Sequence, residues 1–234
     1  MDEAETVEYL VIAPHPDDAE LGMGGTIAKL VDRGCAVGVV DLTSGEPTPF
    51  GTPERRAEET AAATQVLNLR VRLNLGMKNR ELVHTLENRR RVAEVYRRLR
   101  PRVVFVPYWH DAHPDHLAAQ ELAVAARFHA KLTKTDMAGE PHYPPRMIYY
   151  YCTHLRRHAD VAFVVDVSEH MQRKLEAIQC YRSQFYEGRG DQAGAVVEFV
   201  RGACRYWGGQ IQREYGEPFA VLETLGVDSP EHIF

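Results

Sequence analysis

The chain is short of lysine, of paired cysteines and of long apolar runs, and each shortage excludes a class of protein. Only 5 of its 28 basic residues are lysine, and with 33 acidic residues the net charge is −5. That balance argues against a general binder of nucleic acid or of anionic membrane surfaces, which carries a basic excess. No apolar run approaches the roughly 18 residues that a membrane-spanning helix needs. Cys35, Cys152, Cys180 and Cys204 stand far apart with no C-x-x-C pair, which excludes a zinc knuckle and a thioredoxin motif. The N-terminal stretch MDEAETVEYL is acidic where a secretion signal is basic, and scattered thiols suit a reducing compartment, so a cytoplasmic location is expected. No repeat or low-complexity segment interrupts residues 1–234, which are expected to form a single domain with a core large enough to need no staples.

What is present is an alternation of short apolar runs with amphipathic stretches. It predicts strands at 7–13, 35–43, 71–75, 103–106, 147–152 and 161–167. Helices are predicted at 25–33, 53–67, 85–100, 116–132, 168–185 and 196–215. Strands separated by helices form βαβ units with right-handed crossovers. The expected fold is therefore α/β, a Rossmann-like, mostly parallel twisted sheet with helices on both faces.

In such sheets ligands bind beyond the carboxyl ends of the strands. Two polar clusters stand at those points. The first, after strand one, is His15-Pro16-Asp17-Asp18-Ala19-Glu20; the second, after strand four, is His110-Asp111-Ala112-His113-Pro114-Asp115-His116. Imidazole and carboxylate together are a ligand set for zinc, or for iron(II) or another divalent ion. The candidates are His15, Asp17, Asp18, His113 and His116, with His110 as an outsider. On a regular helix, positions 110, 113 and 116 drift around the axis by about 60° per step. The ligands must then come from both clusters, which requires strands one and four to be sheet neighbours. Read alone, either cluster is ordinary: Asp115 is a charge suited to a helix N-terminus.

The segment Pro14-His15-Pro16-Asp17-Asp18-Ala19-Glu20-Leu21-Gly22-Met23-Gly24-Gly25-Thr26 resembles the signature of the LmbE-like, or PIG-L, zinc N-deacetylases. His113-Pro114-Asp115-His116 resembles that family's second motif. The likeness continues through Val39–Thr43, Arg56-x-x-Glu59, Asn74-Leu75-Gly76, Val104–Tyr108, Val164–Asp166 and Tyr181–Phe185, so it covers most of the chain. It is similar to the bacterial branch that deacetylates an N-acetylglucosaminyl-malate precursor of bacillithiol. The resemblance implies one zinc on His15, Asp18 and His116, with Asp17 as general base. It makes His113 the helper at the substrate carbonyl, oriented by Asp115. It makes Arg56, and more weakly Arg146, contacts of an N-acetylated amino-sugar substrate, in a homo-oligomer such as the hexamers of related deacetylases. Without it, Arg56 reads as an exposed helix residue near Glu59. The chain departs from that branch at Tyr108-Trp109-His110-Asp111-Ala112, where Glu and Arg are replaced by His110 and Ala112, and at Lys78-Asn79-Arg80.

Two other functions compete. Gly22-x-Gly24-Gly25 opens a helix after a strand, as in a Rossmann-type nucleotide-binding regulatory module, but the G-x-G-x-x-G pattern is incomplete. A metal-dependent phosphoesterase could use the same His/Asp cluster, though such sites usually hold a second metal. The arginines at 89–91, 97, 98, 100 and 102 alternate with Glu87 and Glu94 and read as a solvated face or subunit contact.

Overall fold

The computed structural model describes residues 6–155, 157–226 and 229; the acidic residues 1–5 lie outside the described residues. The chain runs β1 (Tyr9–Ala13), α1 (Asp18–Asp32), β2 (Val37–Thr43), α2 (Pro53–Leu67), β3 (Val71–Met77), α3 (Leu86–Leu99) and β4 (Val103–Pro107). It continues through α4 (Pro114–Ala130), β5 (Arg146–Tyr150), β6 (Phe163–Asp166), α5 (Met171–Gln179), α6 (Arg182–Phe185), α7 (Ala195–Gln210) and β7 (Gly216–Ala220). The helix starts follow their capping residues. The Thr52 and Thr85 hydroxyls accept from the backbone N–H of Arg55 and Asn88, and Pro53 and Pro114 occupy first-turn positions that tolerate the missing N–H.

The strands form one seven-stranded sheet in the order β3-β2-β1-β4-β5-β7-β6. The first five are parallel, and β7 runs antiparallel to both β5 and β6. Side chains alternate across the sheet, as the strand period demands. Leu10 and Ile12 of β1 pack with Val92, Tyr96 and Leu122 of α3 and α4. Val11 and Ala13 pack on the other face with Met23, Ile27, Leu67 and Ala177 of α1, α2 and α5. The sheet is thus covered on both faces, as expected. β1 lies between β2 and β4, with Tyr9, Leu10 and Val11 opposite Val103, Val104 and Phe105. The chain passes from β1 to β2 on one side and from β4 to β5 on the other, so the loops after β1 and β4 flank one crevice.

Three elements differ from the sequence expectation. Helix α1 starts at Asp18 rather than Gly25, but it is broken at Met23, whose φ of −149° is not helical. The break frees the N–H groups of Gly25 and Thr26, which donate to the two Glu217 carboxylate oxygens at 2.9 and 2.6 Å. Lys174 Nζ, itself buried, neutralises Glu217 at 2.6 Å. The predicted 168–185 helix is divided, because Ser183 turns to donate its N–H and its hydroxyl to Glu59, both at 2.7 Å. Strand β7 has no counterpart in the sequence expectation: GEPFA contains a glycine and a proline, has no β-branched residue, and draws its order from its two neighbours.

The glycine segment is a packing device. A Cβ on Gly22 would stand 2.5 Å from the Tyr150 ring, and one on Gly25 would stand 2.8 Å from Val167 Cβ. With its free N–H groups held by Glu217, the turn has neither room nor donors for a nucleotide phosphate. No helix of the described residues is long and apolar enough to cross a membrane.

Candidate functional site

A crevice of about 590 Å³ opens at the carboxyl ends of the parallel strands. His15, Asp17 and Asp18 come from the turn after β1, Arg56 from α2, and His113 from the turn before α4. The segment around α6 and the start of α7 forms the outer wall.

Asp17 has φ 118°, a conformation that residues with a Cβ rarely adopt and that costs about 1–3 kcal/mol. At this strained turn the two adjacent carboxylates have different partners. Asp18 Oδ2 lies 3.0 Å from His15 Nδ1 and 3.3 Å from His116 Nε2. Asp17 Oδ2 instead accepts from Arg56 Nη1 at 3.2 Å. Burial pushes Asp17 up to about 7, against the downward pull of Arg56. Asp18, equally buried, is held well below the usual range because the flanking His116 and His15 outweigh desolvation.

His15, Asp18 and His116 each bring one ligand atom to within 4.8 Å of the others. Whether they fit a metal is decided at His116. Its side chain is fully buried, and neither ring nitrogen has a hydrogen bond of proper geometry, although carboxylate oxygens lie 3.3 and 3.1 Å away. A buried ring nitrogen without a partner requires one, and a divalent ion held with Asp18 and His15 would supply one to Nε2. The ligand set, two imidazoles and a carboxylate, is a catalytic type. A second grouping, His15 with His113 and Asp115, is also close enough, but there the lone pairs are already engaged. Asp115 Oδ2 accepts from Arg80 N at 2.7 Å and lies 3.1 Å from His15 Nε2, Oδ1 accepts from Leu82 N at 3.2 Å, and His113 Nδ1 accepts from Asp115 N at 3.1 Å.

These contacts correct the role expected for Asp115. Its carboxylate reaches His15, not His113; it orients His113 only through its main-chain N–H. That bond occupies His113 Nδ1 and leaves Nε2 as the protonated nitrogen. The surroundings of His113 also lower its pKa. Burial, followed by the neighbouring His116 and His15, pushes it down to about 4, against a smaller upward pull from Asp115. His113 is therefore a neutral N–H donor near pH 7. His15 is displaced the other way: its bonds to Asp115 and Asp18 outweigh burial and lift it to about 9.

Arg56 is only 4% exposed and lines the crevice, so it is not the surface residue its spacing from Glu59 suggested. It touches Asp17, lies 3.8 Å from Glu46 and stands 5.6 Å from the Tyr181 ring centroid. Arg146 is a correction. It is the exposed first residue of β5, opposite Val103 at the amino edge of the sheet, with a guanidinium N–H on Pro145 O. A strand's length separates it from the crevice.

Sequence reasoning missed Asp111 and His154. Asp111 Oδ1 accepts from His113 N at 2.8 Å while Oδ2 sits 3.1 Å from His116 Nδ1, so one carboxylate fixes the main chain of His113 and faces the ring of His116. Its place two residues before His113 was the available signal. His154, on the loop after β5, brings its ring to 5.2 and 5.1 Å from those of His113 and His116, and nothing in its local sequence marked it.

Comparison with known proteins fits this geometry. The PIG-L family profile, described as GlcNAc-PI de-N-acetylase, matches residues 10–127. A diacetylchitobiose deacetylase of Thermococcus kodakarensis is 33% identical, over 90% of this chain and 81% of its own length. A probable N-acetyl-alpha-D-glucosaminyl L-malate deacetylase 2 of Bacillus anthracis is 29% identical, over 75% of this chain and 80% of its own. Among solved structures, the conserved protein TT1542 of Thermus thermophilus superposes with a TM-score of 0.86 at 41% identity, covering 95% of this chain and 98% of that one.

Proposed function

The chain belongs to the PIG-L family, and we propose that it is a zinc-dependent hydrolase removing the acetyl group from an N-acetylglucosamine conjugate. The observation that carries this reading is the buried convergence of His15, Asp18 and His116 beside a carboxylate, Asp17, that is not among them. Hydrolysis of an amide needs a stronger nucleophile than water and a more electrophilic carbonyl. A divalent ion in a three-ligand protein site lowers the pKa of water to about 7 and polarises a carbonyl.

The chain's own residues supply the rest. Asp17 takes the proton of the attacking water at Oδ and returns it to the nitrogen of the departing amine, and its displacement toward 7 suits a base working near neutral pH. Arg56 keeps that carboxylate oriented and presents its remaining N–H groups to a sugar hydroxyl. His113 donates from Nε2–H to the oxyanion that develops on the acetyl carbon. Asp115 holds His15 in the required tautomer, and Asp111 faces Nδ1 of His116.

The malate conjugate and diacetylchitobiose, named for the two relatives above, are the first substrates to try. Acetate release from zinc-loaded protein should be measured on both, on free N-acetylglucosamine and on an inositol conjugate. The reading predicts turnover of at least one conjugate that disappears with chelator and returns with zinc. Chelator-insensitive activity, or no acetate from any of the four, would contradict it.

A further inference from the structure

The acids of the crevice are confined to its floor, where Asp17 and Asp18 are buried and engaged. The lining farther out has the opposite character. It carries Arg80 and Arg189, both exposed, together with the amides of Asn79, Gln184 and Gln192. Among the described residues neither arginine has a carboxylate within 4.0 Å. Arg80 gives one N–H to Pro47 O at 2.6 Å, and among the described residues no side-chain hydrogen bond engages Arg189. Of the acids near this wall, Glu187 pairs with Arg55 and Glu46 holds Thr48 and Arg56, while Asp191, exposed in the turn after Arg189, does not line the crevice.

Arg80 is also held in place. Its φ of 65° is one that only a minority of residues with a Cβ adopt. Its N–H is fixed on Asp115 and its side chain on Pro47, which also lines the crevice. A guanidinium secured at both ends has already lost much of its conformational freedom, and its remaining N–H groups form a planar donor fork suited to an oxyanion. Arg189, which leads into the 3₁₀ turn Gly190–Gln192 before α7, lines the same cavity from another segment of the chain.

We propose that Arg80 and Arg189 form an anion subsite at the outer end of the crevice, which takes a carboxylate or phosphate on the aglycone of the substrate. This rests on the deacetylase reading above. It makes these residues the determinants of substrate choice, with the acetamido group at the floor and the anionic end of the conjugate between the two arginines.

The test compares zinc-loaded wild type with an Arg80→Asn, Arg189→Ala double variant. Asparagine is among the residues that tolerate the positive φ at position 80, and it keeps the N–H bound to Asp115. The substrates are N-acetylglucosamine conjugates bearing a carboxylate, bearing a phosphate, or neutral as in diacetylchitobiose. In wild type, kcat/KM for an anionic conjugate should exceed that for the neutral one by about tenfold or more, the scale of a hydrogen bond to a charged group. The preference should reside in KM and shrink with added salt. In the double variant it should fall to within about threefold of unity. Whether the carboxylate or the phosphate arm carries the larger ratio identifies the source of the charge. No preference in wild type, or a preference that survives in the double variant, would overturn the subsite. Calorimetric binding of the same conjugates to the Asp17→Asn protein, with and without the two arginine changes, gives the ratio without turnover. An anionic preference there, lost with the arginines, keeps the subsite even if no acetate is released and the deacetylase reading fails; equal binding rejects it.

Discussion

Asp115 Oδ2 lies 3.1 Å from His15 Nε2, joining residues 100 positions apart, while His113, two residues before it, receives only its main-chain N–H. The two H-P-D segments are thereby tied to each other. The ring nitrogen of His15 that faces Asp115 is a donor, which leaves Nδ1, on the side of Asp18 and His116, as the nitrogen that could ligate a metal. Carboxylate, imidazole and metal in series is a common arrangement for fixing the orientation and basicity of a ligating histidine.

Asp115→Asn should accordingly lower metal affinity as well as turnover, by roughly 10–100-fold. The amide keeps one acceptor but sets an N–H₂ group against an existing donor, Arg80 N, Leu82 N or His15. Chelator competition on the purified variant measures this. Retention of zinc at wild-type affinity together with lost activity would return Asp115 to the role of a partner of His113.

Zinc affinity should rise with pH from 6 to about 9. In the metal-free chain the carboxylates around His15 raise its pKa to about 9 and those around His116 raise its pKa further, so over this range both hold protons that the metal must displace. An unshifted histidine would bring the affinity to a plateau above about 6.5. Titrations at several pH values, with proton release measured in buffers of different ionisation enthalpy, distinguish the two.

Arg56→Ala should leave zinc content intact and reduce kcat/KM by roughly 10–100-fold, the loss expected for a charge-assisted hydrogen bond. The guanidinium favours the ionised form of Asp17, so its removal raises the pKa of the base. The acid limb of the pH–rate profile should therefore move to higher pH, and Arg56→Lys should move it less. An unchanged profile would separate Arg56 from Asp17.

Gly22→Ala should destabilise the fold by about 1–3 kcal/mol, because the new methyl meets the buried Tyr150 ring and cannot be accommodated without backbone movement. Denaturant unfolding measures it. A neutral effect would reopen the question of what the glycine segment is for.

The sequence conveyed the parts of the site that lie close together in the chain. His15 to Asp18 and His113 to His116 were legible because proline and carboxylate fall at strand ends that apolar runs had already located. The wall formed by Gln184, Arg189 and Gln192 was not, since only tertiary packing brings α6 and the start of α7 over the carboxyl ends of the strands. Glu217 was equally hidden: its task as a cap exists only once Met23 breaks α1 and leaves two N–H groups without helical partners. Arg146 illustrates the reverse error. Its place after two prolines matched a resemblance, but the direction of a parallel strand put it at the other edge of the sheet.

The central claim is that adjacent carboxylates with different partners have different tasks, Asp18 holding the metal and Asp17 moving the proton. The most direct test is zinc content and acetate release measured side by side for Asp17→Asn and Asp18→Asn. Asp17→Asn should retain zinc and lose roughly 10²–10⁴-fold in turnover, the range of general-base catalysis. Asp18→Asn should lose zinc, with part of its activity restored by added metal. A metal-free Asp17→Asn beside a loaded but inactive Asp18→Asn would reverse the two roles, and two loaded, active variants would remove the chemistry from this crevice.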